Sequence, residues 1–316
     1  MQPSAAAAPD APSREKTVLR CGECGASIVL GAYRTAVCPY CASPSVVERP
    51  AAPDLPNPAF ALPFTVTRDR AVADVGRWQR RMRLFHRSFS KATIDEIKGV
   101  YLPAYLYSAV VESRYQARIG ENYTETETYT TTENGKTVTR TRTVTRTEWR
   151  ELAGEHAAYA TDLVVTASRG LPNAELEHIE PFDLRALRRY DPALVSGWLV
   201  EEPSLRLDEC TQMARVEAQR QEGERLSAFM PGDKFDDLHF SMTVRDESID
   251  PILVPVWVLA VRPDPQQPAV RVVANGQTAE VWGPEKVSAW KIIVFILAIL
   301  AFIAVIALIA TGGRAP

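Results

Sequence analysis

The sequence lacks the short motifs on which many enzymes depend. It has no phosphate-cradling loop of the form G-x-x-x-x-G-K-[ST] or G-x-G-x-x-G, and no G-x-S-x-G nucleophile elbow. Its four histidines do not have the spacing of metal ligands or of a catalytic triad; they are His86, His156, His178 and His239. We therefore predict that the protein is not an enzyme.

A strong charge of one sign and a secretory signal are also absent. The chain has 36 Lys and Arg against 39 Asp and Glu, a net charge of −3 at pH 7. A protein that coats nucleic acid is usually clearly basic, so this class is disfavoured. Residues 1–16 contain no apolar segment and are predicted to form a disordered tail.

Cysteine is scarce, but its placement is informative. Four of the five cysteines form two C-x-x-C pairs with thirteen residues between the pairs: Cys21, Cys24, Cys38 and Cys41. Such pairs can hold one tetrahedral Zn²⁺, and the alternatives are two disulfides or a redox pair. A cytoplasmic location disfavours disulfides, and the βαβ context of a thioredoxin-like motif is missing. We predict a zinc ribbon over residues 17–45 with one structural Zn²⁺, and a buried Cys210 in a helix.

A long hydrophobic run closes the sequence. Residues 292–310 contain nineteen apolar positions without a charge, a glycine or a proline. With the residues before them they predict a transmembrane tail anchor over 287–311. The proposed anchor positions are Trp290, Lys291, Ile292 and Ala310. Basic residues are more frequent before this run than after it, which predicts a single-pass protein of the bacterial inner membrane with its N-terminal domain in the cytoplasm.

Threonine is concentrated in residues 123–147, where twelve of the 25 positions are threonine. Asn134-Gly135 is the strongest two-residue signal for a β-hairpin. Folding the chain there pairs threonines on one face, and on the other face it pairs Tyr129 with Arg140, Glu127 with Arg142, and Tyr123 with Arg146. We predict a hairpin arm over residues 121–149. Its candidate partner-binding residues are Tyr123, Tyr129, Thr130, Thr139, Arg140 and Arg142.

The remaining sequence predicts an α+β fold with helices packed on a largely antiparallel sheet. Residues 46–63 contain five prolines and are predicted to be a linker. Residues 64–286 are predicted to form one domain of two diverged repeats, because helix-like stretches at 69–89 and 207–229 each precede strand-like residues. Leu102-Pro103-Ala104-Tyr105 and Val254-Pro255-Val256-Trp257 occupy equivalent places, each predicted to open a strand.

These segments resemble a bacterial group, the TFIIB-type zinc-ribbon-containing membrane proteins. The matching segments are CGECG, CPYC, LPAYLYSA, LVVTASRGLP, PFDLRALRRYDPALVSGW, VPVWV and VVANGQTAEVWGPEKVSAWK. Members are often labelled helicase- or primosome-like, but the ATP-binding motifs that such a label requires are missing here. The resemblance implies a membrane-bound adaptor in envelope stress that works beside flotillin-like (SPFH) or phage-shock-type proteins.

Three hypotheses on function remain. The first is a non-catalytic, tail-anchored adaptor or scaffold at the cytoplasmic face of the membrane, whose arm offers a free edge for strand addition. The alternatives for the arm are a solvated hairpin without a partner, or a hairpin whose edges extend the parent sheet. The second is a membrane-tethered nucleic-acid-binding protein, supported by the ribbon and by the arginine-rich helix of 77–87, although a solvated helix face is the favoured explanation of those arginines. The third is an enzyme or a sensor domain that binds a small ligand between the repeat halves. Its site would be lined by Tyr101, Tyr105, Tyr107 and Trp257, although aromatic residues at strand positions more often belong to the core. The partner and the oligomeric state stay open.

Overall fold

A computed structural model describes residues 17–29, 37–41, 43, 46–50, 56–83, 93–133, 136–262 and 270–283. Three α-helices lie in these residues: α1 Arg68–Arg83, α2 Asn173–Glu177 and α3 Leu207–Phe229. The strands before α2 are β1 Thr17–Cys21, β2 Ser27–Val29, β3 Val46–Pro50, β4 Phe60–Ala61, β5 Thr93–Glu133 and β6 Lys136–Thr166. The later strands are β7 Arg188–Arg189, β8 Leu199–Glu201, β9 Lys234–Arg262, β10 Val270–Asn275 and β11 Val281–Trp282.

The strands form a mixed sheet with few helices, as an α+β fold requires. The strand order is β11-β10-β9-β5-β8-β2-β1-β3, and β6 pairs with β5. Most of the pairs are antiparallel, including β1 with β2 and β9 with β10. Two pairs are parallel, β4 with β9 and β5 with β8. The α+β class is therefore confirmed, although the sheet dominates over the helices.

The chain divides into two compact units. Unit 1 contains residues 1–104, 166–206 and 251–316, and unit 2 contains residues 105–165 and 207–250. The boundaries do not follow the predicted division into a ribbon, a linker and a duplicated domain. The long strands β5 and β9 run through both units, whereas each helix belongs to one unit.

The core of unit 1 forms between α1 and the sheet. Ala71, Val75 and Trp78 recur at helical spacing and are buried with Leu259 and Val272. The Trp78 ring leaves no room for a side chain at position 283, because a Cβ on Gly283 would lie 2.7 Å from the indole. The helical prediction for 69–89 is thus supported as far as Arg83, and 84–90 lie outside the described residues.

An aromatic cluster lies beside this core in unit 1. Phe64 stacks on Trp198 with ring centroids 4.0 Å apart, and Tyr101 and Trp257 meet Phe64 edge to face. The indole N–H of Trp257 donates to the carbonyl of Val66 at 3.0 Å. Tyr101 and Trp257, two residues of the predicted ligand cleft, are therefore packed core residues.

Unit 2 packs α3 against one face of its strands. The buried stripe of α3 recurs every four residues: Cys210, Ala214, Ala218, Glu222 and Leu226. Cys210 is fully buried, as predicted. On β5 the buried positions alternate with exposed ones, so Ser113, Tyr115 and Ala117 face the core. Gly154 is required opposite Tyr115, because a Cβ there would lie 2.7 Å from the phenol oxygen.

Three predictions about the chain's organisation need correction. Leu102–Tyr105 and Val254–Trp257 lie inside β5 and β9 rather than at strand starts. The carbonyls of both prolines still take part in backbone pairing, since Pro103 accepts from the N–H of Ala167 and Pro255 accepts from the N–H of Gly276. The predicted linker also begins with a strand, since β3 pairs with β1, and it ends with β4 in unit 1.

The prediction of a single-pass inner-membrane protein is also corrected. Within the described ranges no helix is long and apolar enough to cross a membrane. The 23-residue α3 has sufficient length, but charged side chains interrupt it throughout, and α1 has only 16 residues. The predicted span over 287–311 lies outside the described residues, as do its anchor positions and the predicted tail over 1–16.

Candidate metal centre

The two cysteine pairs are presented by tight turns. The strand β1 ends at Cys21, whose N–H donates to the carbonyl of Ala26 at 2.9 Å, while the N–H of Gly25 donates to the carbonyl of Cys21 at 3.1 Å. Gly25 has a φ of +76°, a left-handed conformation that favours glycine. The second pair is closed in a similar way, by the N–H of Cys38 and the carbonyl of Ser43 at 2.9 Å.

The four cysteine sulfurs lie together in unit 1. All of them are within 4.8 Å of one another. The Sγ atoms of Cys24 and Cys38 are 3.5 Å apart, and those of Cys21 and Cys41 are 3.6 Å apart. Tetrahedral Zn–S bonds of about 2.3 Å place sulfurs roughly 3.8 Å apart, so the arrangement is compatible with a single zinc ion. The structure thus brings together all four residues that the sequence predicted.

The thiols influence one another's ionisation. The hydrogen bond from Cys24 lowers the pKa of Cys38 to about 5, and the same contact raises the pKa of Cys24. Burial raises the pKa of Cys41 to about 11. A divalent cation favours the thiolate form of every ligand that it binds, and it would therefore offset the cost of four neighbouring negative charges.

A buried carboxylate lies behind the second cysteine pair. Glu201 of β8 is 1% exposed, and its Oε2 accepts a hydrogen bond from the Tyr40 hydroxyl at 2.6 Å. Its Oε1 accepts from the Ser168 hydroxyl at 2.5 Å and from the N–H of Ser27 at 3.4 Å. Burial raises the pKa of Glu201 to about 7. Since Tyr40 stands between Cys38 and Cys41, this network fixes the second cysteine pair to β8.

Backbone pairing attaches the first cysteine pair to the same strand. β2 pairs with β8 so that Ile28 faces Glu201 and Val29 faces Val200. Ala26 and the ring of Tyr40 lie so near Gly170 that a Cβ there would approach them to 2.7 and 3.1 Å. The cysteine cluster is therefore built into the sheet of unit 1.

The residues that attach the cluster to the sheet are not predicted by any pattern in the sequence. Tyr40, Ser168 and Glu201 are far apart in the chain, and none belongs to a recognised motif. The available signals were weak: a tyrosine inside the second cysteine pair, and an acidic residue that ends a short apolar strand segment.

The NGQT segment of the resemblance forms a structural turn in unit 1. The side-chain amide of Asn275 donates to the carbonyl of Ile179 at 2.7 Å, and its Oδ1 accepts from the N–H groups of Gln277 and Thr278 at 2.7 and 3.1 Å. Gly276 lies too close to Pro255 and Phe64 for a side chain. These contacts therefore stabilise the turn that follows β10.

The second candidate region is the arm of unit 2, residues 121–149. An Arg142 guanidinium nitrogen lies 2.9 Å from a carboxylate oxygen of Glu127, and the Thr147 hydroxyl donates to Oδ1 of Asn122 at 2.8 Å. Both contacts fit the predicted register, in which the numbers of paired residues sum to 269. The candidate partner-binding residues all lie on this arm and are exposed: Tyr123, Tyr129, Thr130, Thr139, Arg140 and Arg142. The predicted turn at 134–135 lies outside the described residues.

A shallow cleft of ≈ 630 Å³ lies on the open face of unit 2. Arg114 and Glu155 line it and bind each other, with 2.9 Å between their charged atoms. In a neighbouring cleft Arg245 and Glu112 are 3.0 Å apart. Because these charges satisfy one another at an exposed surface, the clefts do not resemble a mostly apolar ligand pocket.

Comparison with known proteins gives one distant likeness. No protein-family model matches the chain, and no solved structure matches it. An uncharacterized protein of Bacillus subtilis (strain 168), YdjG, is 25% identical over 261 residues, which cover 77% of this chain and 67% of YdjG. The similarity extends through most of this chain, but it brings no activity with it.

Proposed function

We propose that the protein is a non-catalytic scaffold with a structural zinc site, and that its arm binds a protein partner by strand addition. The observation that carries this proposal is a pair of exposed backbone edges on the arm. An unpaired edge presents a row of N–H and C=O groups that another strand can join.

The contacts of β9 define where these edges begin. β9 lies antiparallel to β5, because Tyr107 bonds Glu247 while Asn122 bonds Asp233, the residue before β9. Lys234, the first residue of β9, therefore lies opposite Gly120 of β5, so β9 ends before the arm begins. Among the described residues β6 pairs with β5 alone. Over the described residues 123–133 and 136–146, no further strand thus pairs with the outer edge of either strand of the arm.

The polar surface of the arm explains how such edges stay soluble. One face carries threonines and the other carries charged residues and tyrosines, so neither face is an apolar patch. Threonine is enriched in strands, and its hydroxyl can hydrogen-bond to water. The arm is therefore suited to remain extended in water until a partner strand binds.

The cysteine cluster supports a structural role for the metal. Cysteines supply four ligands, which fill a tetrahedral zinc site and leave no position for water or substrate. Cys21 and Cys38 are buried, and the Tyr40–Glu201 contact connects the cluster to the sheet. Zinc would stabilise unit 1 rather than take part in a reaction.

A cluster with the composition of a catalytic triad lacks the geometry of one. In unit 2, Ser113 donates to Glu222 at 2.5 Å, and His156 Nδ1 lies 2.8 Å from the same carboxylate oxygen. A triad serine bonds the histidine ring, which removes its proton, and Ser113 bonds the acid instead. Glu222 is fully buried, so both groups serve as hydrogen-bond partners of one oxygen of a core carboxylate.

Affinity purification with and without the arm tests the proposal. The intact tagged chain is compared with a variant in which residues 121–149 are replaced by Asn-Gly, and with Tyr159→Ala, which changes an exposed residue outside the arm. We expect a protein to bind the intact chain and Tyr159→Ala but not the arm-less variant. The candidates are SPFH-type proteins, phage-shock-type proteins and an untagged copy of this chain. Binding that is independent of the arm, or capture of nucleic acid alone, would contradict the proposal.

A further inference from the structure

We propose that the partner of the arm is a second copy of this chain, with the β5 edge of one arm pairing with the β6 edge of the other. This inference rests on the proposed strand addition and specifies the strand that is added. It follows from the unequal distribution of charge between the two strands of the arm.

The two strands of the arm have opposite charge. Residues 121–133 contain four glutamates and no basic residue, whereas residues 136–149 contain four basic residues and one glutamate. The charged positions of both strands alternate with threonine, so they share one face. Each arm therefore has an acidic edge on β5 and a basic edge on β6.

This distribution decides which edges attract each other. Pairing two β5 edges would place glutamates beside glutamates, and pairing two β6 edges would place arginines beside arginines. Like charges directly opposite each other destabilise strand pairs, and opposite charges stabilise them. The acidic β5 edge of one arm and the basic β6 edge of another are therefore complementary. In that pairing the threonine faces of the two arms would form one continuous surface.

The contacts within one arm already show the chemistry of such an interface. Glu127 binds Arg142 at 2.9 Å and Arg146 at 2.5 Å, and Arg146 also lies 2.6 Å from Glu125. A carboxylate of the arm can thus be shared between two guanidinium groups. An arm added at the β5 edge would bring a second row of basic side chains beside these glutamates.

The symmetry of the contact has a consequence for assembly. Two different edges meet, so the interface is heterologous and does not close as a twofold dimer. Each added copy leaves one acidic and one basic edge free at the ends of the assembly. We therefore expect dimers together with larger species, in proportions that rise with concentration and fall with salt.

Sedimentation velocity of the purified full-length chain tests the inference. We expect concentration-dependent association at low salt, which the arm-less variant does not show. The double variants Glu125→Arg/Glu127→Arg and Arg142→Glu/Arg146→Glu place charges of one sign at all four of the central positions 125, 127, 142 and 146. Each alone is expected to associate at least about tenfold more weakly, because like charges then meet at these positions when a β5 edge pairs with a β6 edge. An equimolar mixture of the two is expected to associate again.

A variant with all four substitutions controls for damage to the arm itself. It restores opposite charges within the arm, so it is expected to associate as the natural sequence does. A chain that stays monomeric at low salt, or that associates equally without its arm, would overturn the inference. If the chain is monomeric while its arm still captures a different protein in the purification, strand addition stands and the second copy is the wrong partner. If neither occurs, both proposals fail.

Discussion

The cysteine cluster of unit 1 and the arm of unit 2 are stabilised in opposite ways. At the cysteine cluster, the side chains that matter are buried and come from distant parts of the chain, such as Tyr40 and Glu201. In the arm, the contacts join residues of one hairpin, such as Glu127 and Arg142, and they are exposed to water. Each interaction at the cluster is therefore expected to contribute much to stability, whereas single contacts in the arm are expected to contribute little.

The largest effect is expected from loss of a cysteine ligand. Cys38→Ser removes a buried thiolate from a site where metal binding and folding are linked, so unit 1 should lose zinc and more than about 3 kcal/mol of stability. Metal analysis and thermal unfolding check this. Cys210→Ala is the control, because Cys210 is buried in unit 2 and should leave the zinc content at one per chain. If the Cys38→Ser variant bound as much zinc as the natural chain, the assignment of Cys38 as a ligand would be wrong.

Glu201 is expected to give the next largest effect, and this effect depends on pH. The carboxyl has a pKa of about 7 in the folded protein against an ordinary value of 4.5. The folded state therefore binds more protons than the unfolded state in this range, and the contribution of Glu201 to stability falls as pH rises. Between about pH 5.5 and about pH 8 the contribution of Glu201 to the free energy of unfolding falls by about 2 kcal/mol.

Comparing the natural chain with Glu201→Gln isolates this contribution. The amide does not titrate, so the difference in unfolding free energy between the two proteins should change with pH by that amount. Zinc binding has its own pH dependence, which both proteins share. A constant difference across the range would show that Glu201 is already ionised or already protonated throughout.

A smaller effect is expected from Ser113 in the core of unit 2. Ser113→Ala removes one of two hydrogen bonds to the buried Glu222, which should cost about 1–2 kcal/mol. Thermal or denaturant unfolding measures the cost, and Ser241→Ala on the exposed face is the matched control. The zinc content should stay unchanged. A neutral substitution would mean that His156 alone satisfies the carboxylate.

The smallest effect is expected from single charges of the arm. Arg142→Ala removes an exposed ion pair with Glu127, and such pairs contribute little to stability. We expect an unchanged melting temperature but a weaker association between copies, measured by sedimentation. A large loss of stability would break the contrast between the two regions, since the arm would then depend on this contact for its structure.

Local patterns allowed part of the fold to be predicted. The C-x-x-C spacing predicted the cysteine cluster, and the alternation around Asn134-Gly135 predicted the register that joins Glu127 to Arg142. Residues 207–229 were predicted as helical and form α3. In each case the residues concerned are near in sequence, so a local spacing or periodicity is sufficient to predict the structure that they form.

The tertiary structure alone decided how these elements are joined. Tyr40 and Glu201 are separated by 161 positions, and Ser27 bonds the same carboxylate across 174 positions. No local propensity specifies that β2 pairs with β8, or that a buried glutamate attaches the cysteine cluster to the sheet. The sequence by itself determined the four clustered cysteines and the charge pattern of the arm, because both follow from short spacings along the chain. The attachment of the cluster depends on polar groups that are distant in sequence and are buried together in the folded core. Because buried polar groups need hydrogen-bond partners, only the packing of the whole core determines which of them pair.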